Sequence, residues 1–173
     1  MTEDFEKMLT GGHPNSLGRT VEVVELVLAD RDKLSNLYRC YFSQDEVVRL
    51  RVSSAMKRVT IAHPDWTMDY MDGLLNEIAA IDQASTQWTL AILFDLTVSL
   101  LSPPQQKRAL EIMKSNLENH DDWIVLNTTM KTLFDWSAKD AVLRDWLKLQ
   151  LERLLADPRK SVSGRAQKLL AKF

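Results

Sequence analysis

Three histidines, one cysteine and one pair of adjacent aspartates are the residues whose types invite a chemical reading. A helical metal site needs two ligands one turn apart, as in an HExxH pattern. His13, His63 and His120 share no such spacing and fall in tail or turn segments, so they read as turn or cap residues. The Cys and His clusters of a zinc site are missing. A nucleophilic thiol needs a neighbour that lowers its pKa. Cys40 sits near Tyr38 and Phe42 and reads as a buried, inert thiol. Asp121-Asp122 has the form of a carboxylate pair, but two acids at a helix start complement the helix dipole. Gly11-Gly12 is too short for a phosphate-cradling loop and follows no strand, and no Ser-His-Asp pattern is present. The expectation is a protein without catalytic residues, metal or cofactor.

Composition narrows the class of partner. A chain of 173 residues has the length of one domain. Its net charge of −2 supplies no global basic field to gather nucleic acid or an anionic membrane. The charge is uneven: residues 1–47 sum to −4, 48–143 to −3 and 144–173 to +5. The single cysteine excludes an internal disulfide. No run approaches the ~20 apolar residues of a membrane-spanning helix. Residues 1–16 are acidic and polar, unlike a signal peptide. These absences lead to the expectation of a reducing, cytoplasmic location and no membrane partner.

Helical periodicity dominates the elements that must position any site. Val21, Val24, Leu28 and Val52, Ala55, Met56, Val59 recur at the spacing of a helix with one buried face. Ser43-x-x-Glu46 has the form of a capping box, with Ser137-x-x-Asp140 a weaker version. Asp30 and Ser85 are further candidate caps. Ser102-Pro103 and Asp157-Pro158 place a cap residue before a proline at the first helical position. The spacing predicts helices over 17–29, 31–42, 45–61, 66–81, 85–100, 103–118, 121–136, 140–156 and 159–172. Residues 1–14 are expected to form a flexible tail, and 15–173 a single domain.

A shift of 37 residues aligns the chain with itself. Val59, Leu96, Leu133 and Leu170 form one column, and Met56, Leu93, Met130 and Gln167 a second. Ala55, Ile92, Thr129 and Ala166 form a third, while Tyr38, Leu75, Ile112 and Leu149 form a fourth one helix earlier. A two-helix unit of this length cannot bury its apolar face alone, and stacked units share a continuous core. The expected fold is therefore all-α: a right-handed α-α superhelix, or solenoid, of about four helical hairpins plus an N-terminal helix.

The segment Asp45-Glu46-Val47-Val48-Arg49, followed by Ser54-Ala55-Met56, resembles the second helix of a HEAT repeat. Asp157-Pro158-Arg159-Lys160-Ser161-Val162, followed by Arg165-Ala166-Gln167-Lys168-Leu169-Leu170, is similar. The 37-residue alignment places Thr86 and Trp123 opposite Arg49, which interrupts any Asp–Arg ladder between repeats. The opening Gly11-Gly12-His13-Pro14-Asn15-Ser16-Leu17-Gly18-Arg19 resembles the start of small bacterial HEAT-like proteins of uncharacterised function. The resemblance implies an armadillo-like solenoid over about 17–173 and says little of function, because a fold does not carry a function. It extends to HEAT-like DNA glycosylases, in which aromatic residues and an acid line the base-holding cleft. Trp88, Trp123 and Asp122 are the positions here that fit such a cleft, although tryptophan bodies also fill gaps between helices.

The resemblance further implies that the second helix of each pair lines a concave face. In the 37-residue register one outward column reads Lys57, Phe94, Lys131 and Lys168, and its neighbour Ser54, Ala91, Thr128 and Arg165. With helices packed ~8–10 Å apart, the first column would make a basic ridge around one phenylalanine. Such a ridge suits an acidic peptide with an apolar anchor, steered by charge and held by a desolvated contact. The leading expectation is a non-catalytic protein-interaction or scaffold module. The alternative is a nucleic-acid-binding protein that uses the basic C-terminal segment.

Overall fold

The computed structural model describes residues 4–173, and every described element is helix or connection. The chain divides into two compact units, one running to Gln105 and the other covering Gln106–Phe173. Their charges are opposite: residues 1–105 sum to −6 and residues 106–173 to +4.

The first unit begins with α1 (Phe5–Leu9), capped by the Asp4 carboxylate, which accepts from the Lys7 amide at 3.1 Å. Five residues cannot hold a helix alone. Burial of Phe5, Met8 and Leu9 holds this one, so residues 4–14 of the expected tail are folded, and residues 1–3 lie outside the described residues. A loop leads to α2 (Thr20–Ala29), then a 3₁₀ turn, α3 (Leu34–Arg39), a second 3₁₀ turn and α4 (Glu46–Ala62). The Asp45 carboxylate caps α4 by accepting from the Val47 amide at 2.8 Å. Ser43 instead accepts from the Asp45 amide, so the cap falls two residues after the position the capping box indicates.

The single helix expected over 66–81 is broken into α5 (Pro64–Met68), α6 (Met71–Asn76) and a 3₁₀ turn. The break falls at Tyr70, whose ring lies 4.8 Å from that of Tyr38. The unit then adds α7 (Ala84–Thr97), which packs along α4. The second unit holds α8 (Pro103–Asn119, beginning just before the division), α9 (Trp123–Trp136), α10 (Ala141–Leu154) and α11 (Lys160–Leu170). Asp122 caps α9 and Asp140 caps α10, so Ser137 lies in a preceding 3₁₀ turn and does not act as the cap. The α11 helix starts two residues after Pro158, and its entry is fixed by Asp157, held down to about 2 by the hydrogen bond from the Arg159 guanidinium.

The apolar faces do not follow a constant 37-residue step. The residues preceding α4, α7, α9 and α11 are Asp45, Gln83, Asp122 and Arg159, separated by 38, 39 and 37 residues. Shifting α4 by 38 superposes buried Val48, Val52, Ala55, Met56 and Val59 on buried Thr86, Leu90, Leu93, Phe94 and Thr97. Phe94 is therefore a core residue at 0% exposure, opposite Met56 in register, and Leu96 is 37% exposed. Leu149 of the fourth column is 65% exposed. A connection one residue longer turns the register by about 100° while leaving each helix's own periodicity intact.

This register also changes the counterpart of Arg49, which is Gln87 and not Thr86. The Arg49 guanidinium donates to the Ser43 carbonyl at 2.5 Å, and the Gln87 amide donates to the Ile81 carbonyl at 2.8 Å. Both donors and both acceptors are 38 residues apart, so a glutamine repeats the arginine's clasp on the turn before its helix.

Several buried side chains, Thr86 and Thr129 among them, carry a polar atom without a partner among the described residues. Thr129, fully buried in α9, has an Oγ1 that meets no hydrogen-bond partner among the described residues. Burying such a hydroxyl costs about 1–3 kcal/mol. Thr129→Val keeps the β-branched shape and is expected to raise stability by about 1 kcal/mol, read as a higher urea midpoint at unchanged slope.

Candidate functional site

One cleft of the first unit is built around a buried arginine. Arg51 is 2% exposed, on the second turn of α4, and its guanidinium meets backbone carbonyls only. It donates to Leu9 at 2.7 Å, Gly11 at 2.6 Å, His13 at 3.3 Å and Ser16 at 3.2 Å. The planar fork of five donors can satisfy several acceptors at once. Among the described residues no carboxylate pairs with it. One side chain thus folds the segment from Leu9 to Ser16 back onto α4. Gly18 makes the close approach possible: its φ is +51°, and a Cβ there would lie 2.9 Å from the guanidinium carbon. The far end of the strap is anchored by Thr10, whose hydroxyl donates to the Asp45 carboxylate at 3.0 Å.

The strap forms one wall of a cleft of about 380 Å³. Pro14, Asn15, Ser16 and Leu17 supply that wall. Leu50, Arg51, Ser54 and Lys57 line it from successive turns of α4, and Trp88 and Thr89 from the first turns of α7. Lys57 is half-buried and has no hydrogen bond or ion pair among the described residues. The lining therefore carries two cations and no carboxylate, within a unit whose net charge is negative. Low-dielectric walls strengthen that local field relative to open water. The cleft favours an anion, and the half-buried Trp88 gives it an apolar wall with an N–H donor at one edge.

The residues singled out from the sequence separate in this structure. Lys57 and Trp88, drawn from two different readings, share the cleft. Phe94 does not join Lys57 on a surface ridge: it is in the core, and the ridge fails at its only aromatic member. Lys131 is exposed on α9 and pairs with Asp135 at 2.5 Å, one turn on. Arg165 and Lys168 are exposed on α11 and line a groove there. Asp122 is engaged as the cap of α9, accepting from the Ile124 and Val125 amides at 2.8 and 3.0 Å. Trp123, 48% exposed, opens the first turn of the same helix. Trp88 belongs to the first unit, and Asp122 and Trp123 belong to the second.

The remaining candidates for chemistry have structural roles. Cys40 is buried, donates to the Asn36 carbonyl at 3.3 Å, and its thiol is pushed up to about 11, chiefly by burial and then by Glu6 and Asp4. It is overwhelmingly protonated near neutral pH. The Nδ1 atoms of His13 and His120 accept from the Asn15 and Asp122 amides, each closing a turn. His63 stacks on Trp66 with ring centroids 4.0 Å apart. No three His, Cys, Asp or Glu side chains gather to hold a metal among the described residues, and no described helix is long and apolar enough to cross a membrane.

No family model, no curated protein and no solved structure matches the chain. The residues themselves carry the functional reading.

Proposed function

We propose that this chain is a non-catalytic interaction module of HEAT-like helical hairpins whose first-unit cleft binds an acidic protein segment bearing an apolar anchor. The observation that carries the reading is the cleft's lining: Arg51, Lys57 and Trp88 together, with no carboxylate. A carboxylate of the partner meets Lys57, while an aromatic or branched side chain covers Trp88. Tryptophan is a favoured residue for such desolvated contacts, and charge complementarity supplies steering. The HEAT-like reading is supported by the paired helices α4 and α7, which share one burial pattern and repeat the Arg49 and Gln87 clasps. A solenoid arrangement of the hairpins and a cytoplasmic location belong to the same proposal.

An array of short synthetic peptides varying in acid content and in one apolar anchor tests it. Peptides with both features are expected to bind. Lys57→Glu and Trp88→Ala are each expected to weaken that binding about tenfold to a hundredfold, ~1.4–3 kcal/mol. Equal binding of neutral and acidic peptides, or affinity unchanged by Lys57→Glu, would remove the proposal's basis.

A further inference from the structure

The last helix carries an uncompensated charge that the cleft does not use. From Pro158 to Phe173 the sequence contains no acid. Lys160, Arg165, Lys168 and Lys172 are exposed, and none has an ion pair among the described residues. With Ser161, Gly164 and Leu169 they line a groove of about 290 Å³ along one face of α11. Residues 160, 164, 168 and 172 follow one another at four-residue steps, so they fall on one stripe about 18 Å long. Gly164 interrupts the row of lysines, and a Cβ built there meets nothing within 4 Å. The groove floor at that point is bare backbone.

This arrangement is unfavourable without a ligand. Like charges one turn apart repel, and Lys160 stands at the helix end where the dipole is positive. Val162, Ala166 and Leu169 of α11 are buried in the unit, Leu170 is half-buried, and Phe173 just past the helix is exposed. Within the groove lining the only apolar side chain is the buried Leu169, too little to anchor a protein side chain or to enter a lipid layer. A groove lining of cations, one hydroxyl and exposed backbone, with no aromatic residue in it, matches a run of phosphates, although Lys172 at its end also lies 6.0 Å over the Phe134 ring.

We infer that the α11 face binds the phosphate backbone of nucleic acid, without sequence preference, at a site separate from the peptide cleft. Four cations on four phosphates release the associated counterions. The logarithm of affinity for duplex DNA should then fall against the logarithm of salt with a slope of about −3.6. Between 50 and 200 mM salt that is a loss of about a hundredfold.

The test is fluorescence anisotropy of a labelled random-sequence DNA duplex titrated with the full chain across that salt range. Lys168→Glu/Lys172→Glu is expected to weaken binding at low salt at least tenfold and to flatten the slope by about 2. Lys107→Glu, an exposed lysine at the start of α8, makes a charge change of the same sign outside the groove and serves as the control. Lys160→Gln/Arg165→Gln gives a second pair of exposed substitutions, and circular dichroism confirms that each variant is folded. Absence of binding at 50 mM salt overturns the inference. So does a slope shallower than −1, or equal losses in the groove and control variants. Sedimentation with phosphatidylserine vesicles that depends on Lys168 and Lys172, with no binding of the duplex, assigns the face to a membrane and also overturns it.

Discussion

Arg51→Ala is expected to lower the stability of the first unit by about 3–4 kcal/mol and to release its N-terminal segment. Hydrogen bonds to a charged group contribute about 1.5–3 kcal/mol each, though not additively. This guanidinium makes four, to Leu9, Gly11, His13 and Ser16. The segment from Thr10 to Arg19 is exposed, so part of the loss returns as bonds to water once the strap lifts. The carbonyl of Leu9 and the void left beneath it gain no such compensation. Urea unfolding measures the loss, and hydrogen exchange locates it: protection should fall first at residues 5–16. Arg51→Lys keeps the charge but cannot fan across four acceptors, so it should recover less than half of the stability. Because the strap is a wall of the cleft, both variants should also lose the acidic peptide, whereas Lys57→Glu should lose the peptide at unchanged stability. A change below 1 kcal/mol with residues 5–16 still protected would mean that the strap is held by something other than Arg51.

The second large effect is expected in the core between α4 and α7. Phe94→Ala is expected to destabilise the first unit by about 3–5 kcal/mol, the range for removing a fully buried phenylalanine. Leu96→Ala, two residues on and partly exposed, should cost under 1 kcal/mol. The 37-residue register predicts the reverse order. Denaturant unfolding of the two variants therefore decides whether α7 follows α4 by 38 residues or by 37. Equal small losses at both positions would contradict the packing of α7 on α4.

Much of the fold is legible because helical periodicity is local. The ends of α8, α9 and α10 fall within a few residues of their expected positions, since each has a cap and a clear apolar stripe. The register between helices is less legible, because it depends on connection lengths that the buried face does not constrain. Leu90, Leu93 and Phe94 at i, i+3 and i+4 already indicate the correct face of α7, and the fixed repeat obscured it. The α1 helix carries a similar signal in Phe5, Met8 and Leu9, but its length makes it depend on tertiary burial. Arg51 is not legible at all: nothing in the sequence separates it from Arg49 or Arg58 until the strap folds back. Lys57 and Trp88 are visible individually, and only the packing of α4 against α7 places them in one cleft.

The most direct test of the cleft is a two-dimensional amide and indole NMR titration with the tightest acidic, anchor-bearing peptide from the array. Shifts are expected to concentrate at Asn15, Ser54, Lys57 and the Trp88 indole N–H, and to be abolished by Lys57→Glu in a protein that stays folded. Shifts confined to other surfaces, or a Trp88 indole unmoved at saturation, would contradict binding in the cleft.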